Sequence, residues 1–218
     1  MMTARGKLAA VVIILLVSIV SIYQFVVDDE VQSSTLSYLI DDAMIDGGNR
    51  DLMLGSSTIK RLNQHQFLKC GFWLNRGIGN STISSLRSYL SLTPLSINPS
   101  KILLYAGEND ISKGISVTET IEAYKRLVKI LLNKYPGSKL HVIAIKPSPS
   151  RRIHWNEFSM VNNSLEIYAK EFSQVYFHPH PTGSKGFNRE SFENDGVHLT
   201  DQGYSIFTIG INKVCKTN

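Results

Sequence analysis

The stretch DLMLGSST, residues 51–58, joins a short apolar run to small polar residues and decides the class of fold. The apolar run predicts a strand buried on both faces, because a run of this length that ends at a glycine is typical of parallel-sheet strands. Gly55 ends the strand, and the serines and threonine after it are typical of a helix start. A strand that leads directly into a helix indicates the first half of a βαβ unit.

The same alternation of strand and helix continues to the end of the chain. Further strands are predicted at 67–74, 101–106, 140–145 and 175–178, and helices at 83–92, 118–135, 153–172 and 200–215. Right-handed βαβ units place successive strands in one parallel sheet with helices on both faces. Residues 49–218 therefore predict a single α/β domain, long enough to bury a substantial core.

A polar loop follows each predicted strand. These loops are residues 55–58, 75–80, 107–110, 146–151 and 195–198. Because parallel sheets bind ligands beyond the carboxyl ends of their strands, we expect the five loops to form a site at one edge of the sheet.

The last loop carries an acid–histidine pair. Asp195 precedes His198 by three residues, with Gly196 between them, so one tight turn can bring the carboxylate to the imidazole. Such a bond would fix the imidazole tautomer and stabilise the imidazolium ion. Thr200 is a predicted helix N-cap. On its own an Asp-x-x-His turn is more often a surface turn, so the interpretation depends on a nucleophile elsewhere in the chain.

Ser57 supplies that nucleophile. A serine at the start of a helix, directly after a strand, can present its hydroxyl at the sheet edge, and His198 can serve as its base. A tetrahedral oxyanion also needs two or three preorganised donors. The backbone N–H of Ser57, an N–H from residues 75–80 and the amide of Asn109 are the candidates. Taken singly, Ser57 is also explained as a helix cap and Asn109 as a turn former.

These loops resemble the sequence blocks of the GDSL-like or SGNH esterases and acylhydrolases. The blocks are LGSST, NRGIGNST, GEND and DGVHLT, in that order, and the resemblance runs from about residue 50 to the end. IKPSPSR resembles a segment of a subset whose first block contains GSS in place of GDS. The resemblance implies a flavodoxin-like three-layer α/β/α sandwich, with a five-stranded parallel sheet in the order 2-1-3-4-5. It also implies ester hydrolysis through an acyl-enzyme.

The resemblance assigns catalytic roles to Ser57 as nucleophile, Asp195 as acid and His198 as base, with Asn109 in the oxyanion hole. Ser56 replaces the usual aspartate beside the nucleophile, which raises the question of which serine acts. The nucleophile of this family lies two positions after the glycine, which favours Ser57.

Asn80 stands where this family usually has a glycine that donates its N–H to the oxyanion. The backbone N–H is retained, and asparagine tolerates positive φ better than most residues. We therefore assign Asn80 to the oxyanion hole, with Gly79 as the alternative donor. The Asn80 side chain is expected to narrow the acyl pocket or to add a donor.

The N-terminus carries an apolar run at residues 8–27 without charge, proline or glycine. At roughly 20 residues it is long enough to span a bilayer as a helix. Arg5 and Lys7 precede it, and three acidic residues follow. The positive-inside rule predicts a single-pass signal anchor with residues 1–7 in the cytoplasm and the domain outside, periplasmic in a Gram-negative cell. A cleaved signal peptide is the alternative, although its apolar core would be shorter. Residues 28–48 predict a tether with a partial helix.

Composition argues against several other classes of protein. The net charge of +5 is mild, and no basic stripe marks a nucleic-acid binder. No GxGxxG or P-loop motif is present, and the two histidines of His178-Pro179-His180 lack a third metal ligand, so neither cofactor nor metal is expected. Cys70 and Cys215 can pair outside the cytoplasm, but their spacing alone does not decide it.

The expected function is that of a membrane-anchored serine esterase or acylhydrolase. It would cleave or transfer short acyl groups on envelope glycans or lipids. A lysophospholipase or thioesterase of the same fold is one alternative, and a non-catalytic glycan-binding module is another. The complete Ser–His–Asp–Asn set favours catalysis. The sequence leaves open the acyl chain length, the acyl acceptor and the oligomeric state.

Overall fold

The computed structural model describes residues 29–45, 47, 48 and 50–215. The helices are α1 Asp29–Met44, α2 Ser57–Lys60, α3 Gln64–Phe67, α4 Ile83–Leu92, α5 Glu108–Ser112, α6 Val117–Lys134, α7 Trp155–Ala169, α8 Asp201–Phe207 and α9 Ile209–Val214. The strands are β1 Asp51–Gly55, β2 Trp73–Gly77, β3 Lys101–Tyr105, β4 Lys139–Ile143 and β5 Val175–His178. Short 3-10 helices lie at Pro149–His154, Gly183–Lys185 and Arg189–Ser191.

The five strands form one parallel sheet in the order β2-β1-β3-β4-β5, which confirms the predicted fold class and strand order. Gly55, the last residue of β1, pairs with Gly77 of β2 and Tyr105 of β3. The carboxyl ends of these three strands are therefore level, and the loops that follow them begin at the same edge of the sheet.

The core consists of two apolar clusters on opposite faces of the sheet. Leu52 and Leu54 of β1 belong to a cluster that also holds residues of α1, α4, α5, α6 and α7. Met53, between them, belongs to the other cluster, with residues of α2, α3, α8 and α9. Because side chains alternate along a strand, one apolar run supplies both faces. The helices cover both faces, which makes the three-layer α/β/α sandwich.

The second strand lies further along the chain than predicted. The apolar run 67–74 is divided between α3, which ends at Phe67, and β2, which begins at Trp73. Phe67 is buried and stacks on the ring of Tyr204 at 5.4 Å, so its apolar character serves helix packing. Gly71 has a φ of 91° and turns the chain before β2. Periodicity alone does not separate two short elements of this kind.

Polar residues are tolerated near the end of β2 because their side chains form hydrogen bonds with other protein groups. Asn75 donates from Nδ2 to the Ile59 carbonyl at 2.7 Å and accepts from the Gly77 N–H at 2.9 Å. Arg76 is buried and donates from Nε to Asp42 at 2.8 Å. The strand therefore includes residues that the sequence had indicated as a loop.

Helix α1 covers more of residues 28–48 than the predicted partial helix, and it packs against the domain. Its buried Asp42 accepts hydrogen bonds from Arg76 Nε at 2.8 Å, Tyr89 Oη at 2.6 Å and Thr93 Oγ1 at 2.5 Å. A buried carboxylate with three donors is satisfied, whereas an unpaired one would strongly oppose folding. This segment is therefore attached to the domain along the helix.

The closing helix is divided into α8 and α9 at Thr208. The Thr208 hydroxyl donates to the Tyr204 carbonyl one turn earlier at 2.9 Å, a contact that often bends helices. Thr200 caps α8 as predicted, accepting from the Gly203 N–H at 3.3 Å. Beyond α9, Cys215 forms a disulfide with Cys70, with their Cα atoms 5.5 Å apart. This bond attaches the end of the chain to the segment before β2.

Among the residues that the structure describes, no helix has the length and apolar character needed to cross a membrane. The predicted anchor at residues 8–27 and the cytoplasmic segment 1–7 lie outside those residues.

Candidate active site

Three of the predicted site residues form one chain of hydrogen bonds. His198 Nε2 lies 3.1 Å from Ser57 Oγ, and His198 Nδ1 lies 2.5 Å from Asp195 Oδ2. Ser57 and His198 are 141 positions apart in the sequence. With Asp195 ionised, Nδ1 carries the proton of the shared bond, and Nε2 is left to accept a proton from the serine.

The Asp195 turn is held by its own carboxylate. Oδ1 accepts from the backbone N–H groups of Val197 at 2.8 Å and His198 at 2.9 Å. Burial alone would raise the pKa of Asp195, but the hydrogen bonds from the His198 ring and from these two N–H groups outweigh it and hold the pKa well below its usual range. Gly196 between them has a φ of 67°, a conformation that favours glycine. Asp195 is thus a stable anion, and water also solvates the carboxylate because its side chain is 48% exposed.

Contacts outside the turn fix its place at the sheet edge. Ser150, in the loop after β4, donates from Oγ to the Asp195 carbonyl at 2.6 Å. Phe192 and Leu199 form an isolated antiparallel bridge on either side of the turn, and both are buried. The acid–base pair is therefore attached both to the second apolar cluster and to a neighbouring loop.

Ser57 is the first residue of α2, directly beyond β1. The preceding Ser56 is the helix N-cap; its N–H donates to the Tyr105 carbonyl at 3.2 Å, and its side chain is buried. A Cβ at Gly55 would overlap the same carbonyl, so only glycine permits this close approach of β1 and β3. The local geometry thus places Ser57, and not Ser56, against the imidazole.

Asn109 lies in the first turn of α5, after β3, and is buried. Its Nδ2 donates to the Ser81 carbonyl at 3.0 Å, and its Oδ1 accepts from Arg151 Nη2 at 3.0 Å. The carboxamide is therefore oriented at both ends. One hydrogen of the amide group is used by Ser81, and an amide has two.

Asn80 lies in the turn between β2 and α4, and it is the one non-glycine residue with positive φ in the described part of the chain, at 54°. Its carbonyl accepts from Lys113 Nζ at 2.9 Å. The same turn contacts the end of β1, since the Ile78 N–H donates to the Gly55 carbonyl at 2.8 Å. Asn80 therefore lies in a loop that contacts both the strand before Ser57 and, through Ser81, Asn109.

A buried charged group beside Asn109 was not identified from the sequence. Glu108 is 2% exposed and Lys146 is fully buried, and the two lie 2.5 Å apart. The sequence contains one indication of this pair. Glu108 lies in the segment GEND and Lys146 in the segment KPSPSR, and these two segments follow the neighbouring strands β3 and β4.

The His178-Pro179-His180 motif has other partners. His178 Nε2 lies 2.9 Å from His141 Nδ1, and His180 Nε2 lies 2.7 Å from the Ala144 carbonyl. Burial lowers the pKa of both His178 and His180 to about 4, which leaves them neutral at neutral pH. Among the described residues, no group of three or more His, Cys, Asp or Glu side chains is placed to hold a metal ion.

Solved structures of low sequence identity share the fold. One is named a platelet activating factor, from Streptococcus pneumonia, with 20% identity, 92% of this chain and 98% of that chain covered, and a TM-score of 0.75. A GDSL-like lipase from Bacteroides thetaiotaomicron has 18% identity, coverages of 84% and 97%, and a TM-score of 0.69. A family 3 carbohydrate esterase from Talaromyces cellulolyticus has 14% identity, coverages of 78% and 97%, and a TM-score of 0.62.

Among curated proteins, none matches this chain. The model of the GDSL-like lipase/acylhydrolase family matches residues 56–206, which is well over half of the 218 residues. That range includes all five predicted site residues and ends within α8. The chain belongs to the GDSL-like lipase/acylhydrolase family.

Proposed function

We propose that this protein is a membrane-anchored serine esterase that removes or transfers short acyl groups on envelope glycans or lipids. The hydrogen-bonded chain from Asp195 through His198 to Ser57 carries the proposal. It supplies an ionised acid, an oriented base and a nucleophile in the order that acyl transfer requires. A protein that only binds glycan would not need an acid, a base and a nucleophile in this arrangement.

The proposed reaction has two halves. In the first, Ser57 Oγ attacks the ester carbonyl carbon while His198 Nε2 takes the hydroxyl proton, and the carbonyl oxygen becomes an oxyanion. The tetrahedral intermediate collapses, the alcohol leaves with the proton from His198, and Ser57 holds the acyl group. In the second half, water or another hydroxyl gives its proton to His198 and attacks the acyl carbonyl carbon. The bond from that carbon to Ser57 Oγ then breaks, Oγ takes the proton back from His198, and an acid or a new ester is released. The amide of Asn109 and the backbone N–H groups of Ser57 and Asn80 are the proposed oxyanion donors.

Labelling and ester hydrolysis test this function together. A fluorophosphonate probe should label the purified protein, and p-nitrophenyl esters from acetyl to palmitoyl should be hydrolysed with a preference for the short chains. A preference for long chains would favour the lysophospholipase or thioesterase alternative. Absence of both labelling and hydrolysis would favour the glycan-binding module.

The preference for short chains rests on Asn80. Its side chain is half-buried in the oxyanion loop, at a position where glycine would leave more room. A larger side chain beside the reacting carbonyl restricts the length or branching of the acyl group.

Removal of the Asn109 amide should lower kcat with little change in KM. Asn109→Ala is expected to reduce kcat roughly 10²–10³-fold, because the donor acts on charge that develops in the transition state. Steady-state kinetics on p-nitrophenyl acetate would measure this change. Asn63→Ala, an exposed asparagine outside the site, is the matched control. A loss confined to KM would instead make Asn109 a substrate-binding residue.

The geometry of α1 supports a membrane-facing active site. Lys60 ends α2, the helix that begins at Ser57, and its Nζ lies 2.9 Å from Glu30 Oε1 near the start of α1. A Cβ at Gly79 would overlap the same Glu30 carboxylate. An anchor that ends at residue 27 would therefore join the domain beside the catalytic edge. Acyl esters at the membrane surface would then be the nearest substrates.

Protease accessibility tests the anchored topology. We expect a protease added to spheroplasts to degrade residues 31–218, because the flanking charges direct the N-terminus to the cytoplasm. A cytoplasmic marker protein should stay intact in the same sample, and detergent should expose it. Protection of the domain would contradict the topology, and a mature N-terminus near residue 28 would show cleavage.

A further inference from the structure

A buried charged cluster lies directly behind Asn109 and takes no part in the reaction steps above. Glu108 Oε2 is 2.5 Å from Lys146 Nζ and accepts from the Tyr105 hydroxyl at 2.5 Å. Glu108 Oε1 accepts from the Ser148 hydroxyl at 2.5 Å. Glu108 is the first residue of α5, which follows β3, and Lys146 lies in the loop after β4, so the cluster joins two neighbouring segments of the catalytic edge.

Arg151 connects this cluster to Asn109. Its Nη2 donates to Asn109 Oδ1 at 3.0 Å, and its Nη1 lies 3.2 Å from Glu108 Oε1. Only 20% of the Arg151 side chain is exposed. One planar guanidinium group therefore contacts the carboxylate on one side and the carboxamide on the other.

The charged group that contacts Asn109 directly is the guanidinium group of Arg151, which also lies beside the Glu108 carboxylate. Burial would raise the pKa of Glu108, but the charges of Lys146 and Arg151 outweigh it and lower the pKa, so Glu108 is ionised. A cationic donor at the amide oxygen strengthens the amide N–H groups as donors, because it draws electron density toward that oxygen.

The contact also determines which end of the carboxamide faces the site. Arginine can only donate hydrogen bonds, so its partner must be Oδ1. This contact opposes a flip of the side-chain amide that would exchange the positions of Oδ1 and Nδ2. Nδ2 then lies on the side of Ser81, in the loop that also contains Asn80. Without Arg151 only the bond from Nδ2 to the Ser81 carbonyl would orient the amide, and Nδ2 would be held less firmly toward the developing oxyanion.

We propose that Arg151 is a positioning residue for the oxyanion donor Asn109, and that Glu108, itself held by Lys146, holds its guanidinium group in place. The proposal rests on the proposed function, since it assigns a role within the same esterase site. The proposal assigns a function to the IKPSPSR segment, because Lys146, Ser148 and Arg151 all belong to that segment.

Kinetics of Arg151 variants test the proposal on p-nitrophenyl acetate. Arg151→Ala should lower kcat about ten- to a hundredfold with little change in KM, as expected for the loss of one charge-assisted hydrogen bond. Arg151→Lys should recover part of the loss, because an ammonium group can still donate to Asn109 Oδ1. Added guanidinium ion should raise kcat of Arg151→Ala and leave the wild type unchanged. Arg152→Ala is the matched control, since that guanidinium group lies over the Trp155 ring at 5.8 Å.

A double-mutant cycle separates positioning from other roles. In an Asn109→Ala background, Arg151→Ala should cost little more, because no amide is left to position. Fully additive losses, or an unchanged kcat in Arg151→Ala, would overturn the proposal. A change confined to KM would do so as well, since Arg151 would then bind substrate. If Arg151→Ala does not fold, Arg151→Lys decides by the same cycle.

The failure of this proposal can be distinguished from failure of the proposed function. If the wild-type protein neither hydrolyses esters nor reacts with the fluorophosphonate probe, the esterase function is wrong. If the wild type is active and Arg151→Ala retains its kcat, only the positioning role is wrong.

Discussion

Replacement of Ser57 by alanine should abolish ester hydrolysis, with a loss of kcat on the order of 10⁶-fold. Its hydroxyl is 3.1 Å from His198 Nε2, and no acyl-enzyme can form without it. Ser56→Ala should retain a measurable fraction of the activity, because Ser56 is the buried N-cap of α2. The neighbouring serines thus provide a matched pair in which only one substitution removes the nucleophile.

The measurement combines kinetics with identification of the labelled residue. Fluorophosphonate labelling should disappear in Ser57→Ala and persist in Ser56→Ala, and peptide mass spectrometry of the wild type should place the probe on Ser57. Thermal unfolding of both variants shows whether the fold is intact. A probe found on Ser56 would contradict the assignment and place the nucleophile one position earlier.

The centre of the sheet was predictable from the sequence because strands β1 and β3 are buried on both faces. A strand such as β1 needs apolar side chains on both faces, and the short run 52–54 shows this directly. Strand β2 lies at the sheet edge and contains Asn75 and Arg76, whose side chains form hydrogen bonds with Ile59, Gly77 and Asp42. Ile59 and Asp42 belong to other elements, so the local pattern of β2 gave no sign of its true position.

The triad was predictable because most of its geometry follows from local rules. Asp195 and His198 lie in one turn, and the topology of a parallel sheet brings the end of β1 to the same edge. The cluster of Glu108 and Lys146 depends on a contact between residues 38 positions apart, and the disulfide on residues 145 apart. Neither spacing has a local signature, so only the folded chain reveals these partners.

His198→Ala should lower kcat about as much as Ser57→Ala, on the order of 10⁶-fold, because the serine hydroxyl is a weak nucleophile without its base. Asp195→Asn should cost roughly 10⁴-fold. The asparagine oxygen can still accept from the N–H groups of Val197 and His198, so the turn survives. Its amide would face His198 Nδ1 as a donor, and the imidazole proton would move to Nε2. That tautomer cannot accept the proton of Ser57.

The two losses should not add. Once His198 is absent, Asp195 has no imidazole to orient, so the double variant Asp195→Asn/His198→Ala should match His198→Ala alone. The cycle is measured as kcat on p-nitrophenyl acetate, with thermal unfolding to show that each variant is folded. Asp195→Ala serves as the comparison, because it also removes the two bonds that Oδ1 accepts within the turn and should lower the melting temperature. Fully additive losses, or near-normal kcat in His198→Ala, would mean that this turn is structural and that the base lies elsewhere.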